Sequence, residues 1–260
     1  VTQPPVKRRD SSLLPRVIVA IVFAPLVLWI FWNGGYPLFA LLALLTLFGQ
    51  VELFAMPGHE LSFAHRLVGY LAGLGIISDA FYLHSIHVTG ILVAAFIVLF
   101  AIEILVSGTN RLKRITFSFL GIAYPAIFVS YIFQITQYHY SLFASGNRLL
   151  VVYLILAVWI FDTISYFSGM YFGKNPFFPS VSPKKTREGF IGGMAGVTVF
   201  GAIMGFSLGL SVIQLIVVSL LAGFAGQAGD LAESIIKRDM GIKDSSHILP
   251  GHGGILDRFD

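Results

Sequence analysis

Apolar residues run through this chain in long continuous blocks separated by short polar stretches, with no alternation. Eight blocks are long enough for a helix to cross a bilayer core of about 30 Å, which takes roughly 20 residues. They cover approximately residues 13–32, 37–56, 67–83, 86–107, 115–135, 149–172, 189–209 and 211–236. Barrel strands would alternate between lipid-facing and lumen-facing residues, whereas a helix satisfies its own backbone and can be apolar all round. The predicted fold is all-α, a polytopic integral membrane protein with about eight transmembrane helices.

Composition agrees with that pattern. Of 260 residues, 56% are hydrophobic and 12% charged, where a soluble domain carries about a quarter charged residues. Mean hydropathy is +0.83. The chain has no cysteine, which excludes disulfides and thiolate metal sites. A net charge of +4 suits anionic headgroups or a phosphorylated substrate, and no nucleic-acid partner is expected. The first apolar block, Val17 to Trp32, follows a basic stretch but lacks a small-x-small cleavage site, so it is read as an uncleaved span.

Lys and Arg set the expected orientation. With the N-terminus in the cytosol, the inner regions are the segment through Arg16, the 57–66 and 108–114 loops, the 173–188 loop and the region from Lys237. Together they hold 16 of the 17 Lys and Arg residues, leaving Arg148 outside. The expectation is a cell-membrane protein whose polar loops face the cytosol. It forms one membrane domain, with spans one to five in residues 1–148 and spans six to eight with the motif loops in 149–260.

Four acids interrupt the apolar blocks, each costing several kcal/mol at mid-bilayer unless partnered. Glu52, Asp79 and Glu103 lie near span ends, where a structural role is expected and Glu52 can reach the headgroups. Asp162 is deeper, with Thr163, Ser165, Tyr166 and Ser168 nearby, and predicts a polar cavity. On the last span Asp230, Glu233, Ser234, Lys237 and Gly241 share one helical face. Gln227 continues that stripe inward. A Glu233–Lys237 ion pair at the helix end is its plainest content.

Two polar segments carry the candidate chemistry. In "FGKNPFFPSVSPKKTREG", Ser182-Pro183 suits an N-cap and first turn. Lys184, Lys185 and Thr186 would then sit at a helix N-terminus that favours anions, with Lys174 and Arg187 adding charge. In the closing segment, Asp257 and Asp260 are three apart and Asp230 can face them. Such oxygen donors suit Mg²⁺. They do not suit zinc, because His247 and His252 lack helical metal spacing. Gly251, Gly253 and Gly254 let backbone approach a ligand, and Lys237, Arg238, Lys243 and Arg258 can neutralise phosphate. Carboxylates, cations and glycines together make a phosphoryl- or nucleotidyl-transfer set.

The run "SIIKRDMGIKDSSHILPGHGGILDRFD", Ser234 to Asp260, resembles the signature of the phosphatidate cytidylyltransferases, also called CDP-diacylglycerol synthases. It fills every position of S-x-x-K-R-x4-K-D, P-G-H-G-G and D-R-x-D. "GQAGDLAES" and the 173–188 loop also look like cytosolic motifs of that family. The resemblance implies that CTP and phosphatidic acid give CDP-diacylglycerol and pyrophosphate. It also implies Mg²⁺, with a second cation left open, a homodimer, and metal binding by Asp230, Asp257 and Asp260. Candidate catalytic positions are Asp230, Lys237, Arg238, Asp257, Arg258 and Asp260, with Lys237 and Arg238 assigned by charge and position. Substrate-binding positions are Asp162, Lys174, Ser182, Lys184, Lys185, Thr186, Gln227, Ser234, Lys243, Asp244, His252, Gly253 and Gly254. Members of the family continue past D-R-x-D into a final helix, so a ninth span beyond Asp260 is expected.

Two other classes compete. A transporter could line a pathway with Asp162 and the polar face of the last span, but the dense motifs lie at the boundary and no inverted repeat is visible. Another lipid-linked phosphotransferase is the second, although the CDP-alcohol transferase pattern D-G-x2-A-R-x8-G-x3-D-x3-D is absent.

Overall fold

The structure, a computed structural model, describes residues 13–56, 61–106, 109–137, 147–246 and 254–259, with side chains from residue 23 onward except those of residues 147, 258 and 259. The helices are α1 (Leu13–Asn33), α2 (Gly35–Ala55), α3 (Phe63–Tyr82), α4 (Val88–Leu105), α5 (Arg111–Ile122), α6 (Phe128–Gln137), α7 (Asn147–Phe172), α8 (Arg187–Leu208), α9 (Val212–Asp239) and the short α10 (Leu256–Phe259). A π turn, Ala123–Ile127, joins α5 to α6 around Pro125, and a hairpin of β1 (Pro176–Phe178) and β2 (Ser182–Thr186) precedes α8. Each predicted apolar block coincides with a helix, the fifth with α5, the π turn and α6 together. Among the described residues, six stretches are long and apolar enough to cross a membrane: Gly35–Ala55, Val88–Leu105, Arg111–Gln137, Arg148–Phe172, Arg187–Leu208 and Val212–Asp239. The described apolar part of α1, Phe23–Asn33, is shorter. In α3, His65, Arg66 and Asp79 lower the hydropathy.

Helices α2 to α6 pack by letting large side chains into glycine gaps. A Cβ at Gly69 or Gly121 would collide with the Phe54 ring, and one at Gly73 with the Gln50 amide. Gln50 Nε2 donates to the carbonyls of Gly69 (2.9 Å) and Gly121 (3.1 Å), tying α2 to α3 and α5. Between α1 and α2 the chain reverses at Gly34 and Gly35, with φ of 66° and 60°, a conformation that costs other residues a Cβ clash.

The acids of this half are internally partnered. Glu103, 3% exposed, receives Arg114 Nε and NH2 at 2.7 and 2.5 Å and His65 Nε2 at 2.6 Å. Ser62 Oγ holds the other ring nitrogen of His65 at 2.7 Å. At the opposite end of α3, Asp79 accepts the His87 N–H at 2.9 Å and contacts His87 Nδ1 at 2.8 Å. Structural roles expected for Glu103 and Asp79 therefore have named partners.

Helices α7, α8 and α9 pack mainly on one another, and close approach again depends on glycine. No Cβ fits at Gly193 against Ser165 and Phe161, at Gly196 against Ile164, or at Gly201 and Gly205 against the backbone of Ile216 and Val212. Small residues at helix contacts serve this purpose in membranes, where lipid removes the hydrophobic drive to associate.

One local expectation fails. Ser182-Pro183 does not cap a helix, and Lys184, Lys185 and Thr186 lie in strand β2, paired antiparallel to β1 with Ser182 opposite Phe178 and Thr186 opposite Pro176. Helix α8 starts only at Arg187, with Thr186 as its N-cap and Thr186 Oγ1 accepting the Gly189 N–H at 3.1 Å. Glu188 accepts the N–H groups of Lys174 and Asn175 and the Asn175 amide, and Arg187 N–H donates to Asn175 O. These bonds tie 174–175 to 187–188, and the strand pairing continues them, so a helix cannot begin at 183.

Candidate active site

A cavity of about 490 Å³ opens where α7, the hairpin, α8 and α9 meet. Its polar lining is Asp162 and Ser165 from α7, Ser182, Lys184, Lys185 and Thr186 from β2, and Gln227 and Asp230 from α9. Phe177 and Phe190, stacked with centroids 5.0 Å apart, form part of the apolar wall. Lys185 Nζ is ion-paired with Asp230, whose other oxygen is 3.4 Å from Ser234 Oγ. Among the described residues, Ser165 Oγ and Gln227 Nε2 are buried without a hydrogen-bond partner. A buried donor left unpaired costs about 1–3 kcal/mol. These two groups line the cavity, so a ligand there can supply what the protein does not.

A second constellation lies where α9 ends. Lys237 Nζ is 3.0 Å from Glu233 Oε1 and 2.5 Å from Asp257 Oδ1, so the expected i,i+4 pair is present and a carboxylate from α10 joins it. Asp257 Oδ2 accepts Ser245 N–H (3.1 Å), Ser245 Oγ (3.0 Å) and Gly254 N–H (2.8 Å). Burial pushes the Asp257 carboxyl up, but the hydrogen bond from Lys237 and those from Gly254 and Ser245 outweigh it and hold the group at about 2, below its ordinary 3.8. Asp257 is thus an organiser of the closing segment as well as a candidate ligand.

The structure brings together seven of the expected site residues around the cavity: Asp162, Ser182, Lys184, Lys185, Thr186, Gln227 and Asp230. Lys237, Asp257 and Gly254 meet in the second constellation, and Ser234 bridges toward Asp230. Arg238 is engaged elsewhere: its guanidinium donates to the carbonyls of Val181 (3.4 Å) and Ile242 (3.0 Å), fastening the hairpin to the end of α9. Lys174, Lys243 and Asp244 are exposed and do not line the cavity. His252, Gly253, Asp260 and the Arg258 side chain lie outside the described residues.

Mg²⁺ takes hard oxygen donors, and Asp230 and Asp257 are of that kind. The Lys237 ammonium, held between two carboxylates, marks a place built for positive charge. Asp230 and Asp257 are each of a donor type that suits a divalent cation, but Asp230 is paired with Lys185 and Asp257 with Lys237. Among the described residues no group of three His, Cys, Asp or Glu side chains is gathered closely enough to hold one, and Asp260 is not among them.

Several participants escaped the sequence reading. Phe177 and Phe190 look like any other loop and helix aromatics. Ser245 and Ser246 carried a signal only in "KDSSH", a polar run too common to single out. Glu52, near its span end and able by position to reach the headgroups, is instead 1% exposed and bonded to the closing segment.

Residues 14–260 match the cytidylyltransferase family. Over 252 residues the chain is 34% identical to the phosphatidate cytidylyltransferase of Staphylococcus haemolyticus, an alignment spanning 95% of this chain and 92% of the relative. The enzymes of that name from Staphylococcus epidermidis and Staphylococcus aureus are each 35% identical, over 252 and 255 residues, with the same shares covered.

Proposed function

The chain belongs to the cytidylyltransferase family, and from that premise we propose that it is a multi-pass membrane enzyme making CDP-diacylglycerol and pyrophosphate from CTP and phosphatidic acid. The observation that carries the reading is the cavity in which Lys184, Lys185, Thr186 and Asp230 converge beside apolar helices. A polyphosphate and a lipid can meet there. The relatives named phosphatidate cytidylyltransferase support the same substrates.

An oxygen of the phosphatidate phosphate attacks the α-phosphorus of CTP. The new P–O bond forms as the bond to the β-phosphate bridge breaks, and pyrophosphate leaves. A phosphomonoester has its second pKa near 6, so the nucleophile needs no proton removed at neutral pH. The protein's task is to bring two polyanions together and hold them in line. Lys184 and Lys185 lower the charge on the triphosphate, and Thr186 offers a hydroxyl at the start of α8. Lys237 supplies charge near the lipid phosphate. Ser165 and Gln227 donate to substrate from deeper in the cavity.

Asp230, Asp257 and Asp260 would hold Mg²⁺, and a second cation could share these carboxylates. When bound, the metal neutralises phosphate charge and stabilises the departing pyrophosphate. The active enzyme is a homodimer in the cell membrane, with the hairpin and closing segment facing the cytosol, where CTP is found.

The test is purified protein with radiolabelled CTP and phosphatidic acid, with Mg²⁺ and with chelator. A CDP-lipid product that requires the metal is expected. Its absence would sink the assignment.

A further inference from the structure

Glu52 belongs to α2, in the half of the chain that contributes nothing to the cavity lining, yet it is buried and fully engaged. Oε1 accepts Ser246 Oγ at 2.6 Å and the Ile255 N–H at 2.7 Å. Oε2 accepts Ser245 Oγ at 2.9 Å and the Leu256 N–H at 2.8 Å. Four donor groups lie within hydrogen-bond distance of its two oxygens, matching the four lone-pair sites a carboxylate offers. All four come from the two described stretches that flank residues 247–253.

Ser245 connects this arrangement to the reaction centre. Its hydroxyl lies within hydrogen-bond distance of both Glu52 Oε2 and Asp257 Oδ2, while its N–H is given to Asp257. One hydroxyl proton serves one carboxylate at a time, so the two acids share it. Gly254 approaches so closely that a Cβ there would strike Ser245 Oγ and Glu52 Oε2. The line runs from Glu52 through Ser245 to Asp257, Lys237 and Glu233. Leu256, beside it, packs with Leu53, Phe54, Leu61 and Phe117, which fixes α10 against α2.

We propose that Glu52 is a positioning residue for cytidylyl transfer: it holds Ser245, Ser246, Ile255 and Leu256 in place so that Asp257 and Lys237 are kept toward the reacting phosphates. The inference rests on the transferase reading above. It differs from a general stabilising role because the residues it orders are confined to the closing segment. The cavity that takes the nucleotide is built by other elements.

The experiment compares the parent, Glu52→Gln and Ser246→Ala in purified form, each with and without a single Leu256→Cys. The chain has no cysteine of its own, so maleimide labelling at position 256 reads the packing of the segment whether or not the protein turns over. Glutamine is nearly isosteric but turns an NH2 toward two donors. For Glu52→Gln, a fall of about 30-fold or more in kcat is expected, with KM for CTP within about threefold and labelling at least about tenfold faster. Ser246→Ala, which removes one donor, should lie between it and the parent in both readouts. The proposal is overturned if kcat stays within about threefold of the parent, if kcat falls with no change in labelling, or if kcat falls only together with CTP affinity and folded yield. A parent that labels slowly but makes no CDP-lipid would refute the transferase reading, a result distinct from these.

Discussion

The two halves of the molecule treat polar side chains in the membrane in opposite ways. In α2 to α6 every buried acid is closed on a partner within the protein: Glu103 on Arg114 and His65, Asp79 on His87, Glu52 on the closing segment. Thr46 Oγ1 and Gln50 Oε1 do lack partners there, but they are wholly buried and do not line the cavity. In α7 to α9, Ser165 and Gln227 are left without partners on the wall of an open cavity, next to Asp162 and an ion pair within reach of a ligand. A polar group in a span is no sign of function by itself. What separates the halves is whether space for a ligand adjoins the unmet hydrogen bond.

That contrast can be broken by substitution. Arg114→Met should have the largest effect, on folding: it leaves Glu103 buried with His65 alone, and breaking a buried pair by removing one partner costs about 3–5 kcal/mol. Detergent-solubilised protein should unfold well below the parent temperature, while turnover per folded molecule is kept. A turnover loss above tenfold per folded molecule would show that the Glu103 cluster, and not Glu52 alone in this half, acts on the reaction.

Asp230→Asn tests the other half. Turnover should fall by about 10²–10³-fold, the scale of losing one preorganised electrostatic group, with the unfolding temperature nearly unchanged because Asp230 is half-exposed. A large loss of stability with little loss of turnover would assign Asp230 to scaffold.

Gln227→Leu is the finest probe. Removing a buried amide whose Nε2 has no partner should leave stability about equal, while substrate loses one hydrogen bond of about 1–1.5 kcal/mol, roughly a tenfold rise in KM. Steady-state kinetics with CTP and phosphatidic acid varied in turn would show which substrate Gln227 meets. Unchanged kinetics with both would leave its amide without a ligand and weaken the contrast.

Helix positions were legible because hydropathy is a local property and lipid enforces it. All eight apolar blocks have helical counterparts, and the polar stripe of α9 was readable as one face. The hairpin was not. Ser182-Pro183 is a sound local start signal, but strand pairing with 176–178 and the Glu188 bonds to Lys174 and Asn175 override it. At the site, the cations and carboxylates announced themselves by type and spacing. The unpaired state of Ser165 and Gln227 did not, because it depends on which atoms fail to arrive. The partners of Glu52 were illegible for a related reason: they are 193 to 204 positions away, and nothing near it in sequence points to them.

That separation has a consequence for how the protein is made. At about 5–20 residues per second of synthesis, α2 is complete roughly ten to forty seconds before the stretch that covers its carboxylate. Through that interval Glu52 has only water and headgroups at the end of its helix to keep it solvated. The first-made half therefore carries an open socket that only the much later Ser245, Ser246, Ile255 and Leu256 close, and a chain halted before residue 245 can have its earlier helices yet lack the seal. Assembly of the reaction centre is tied in this way to the arrival of residues made 193 to 204 positions after Glu52.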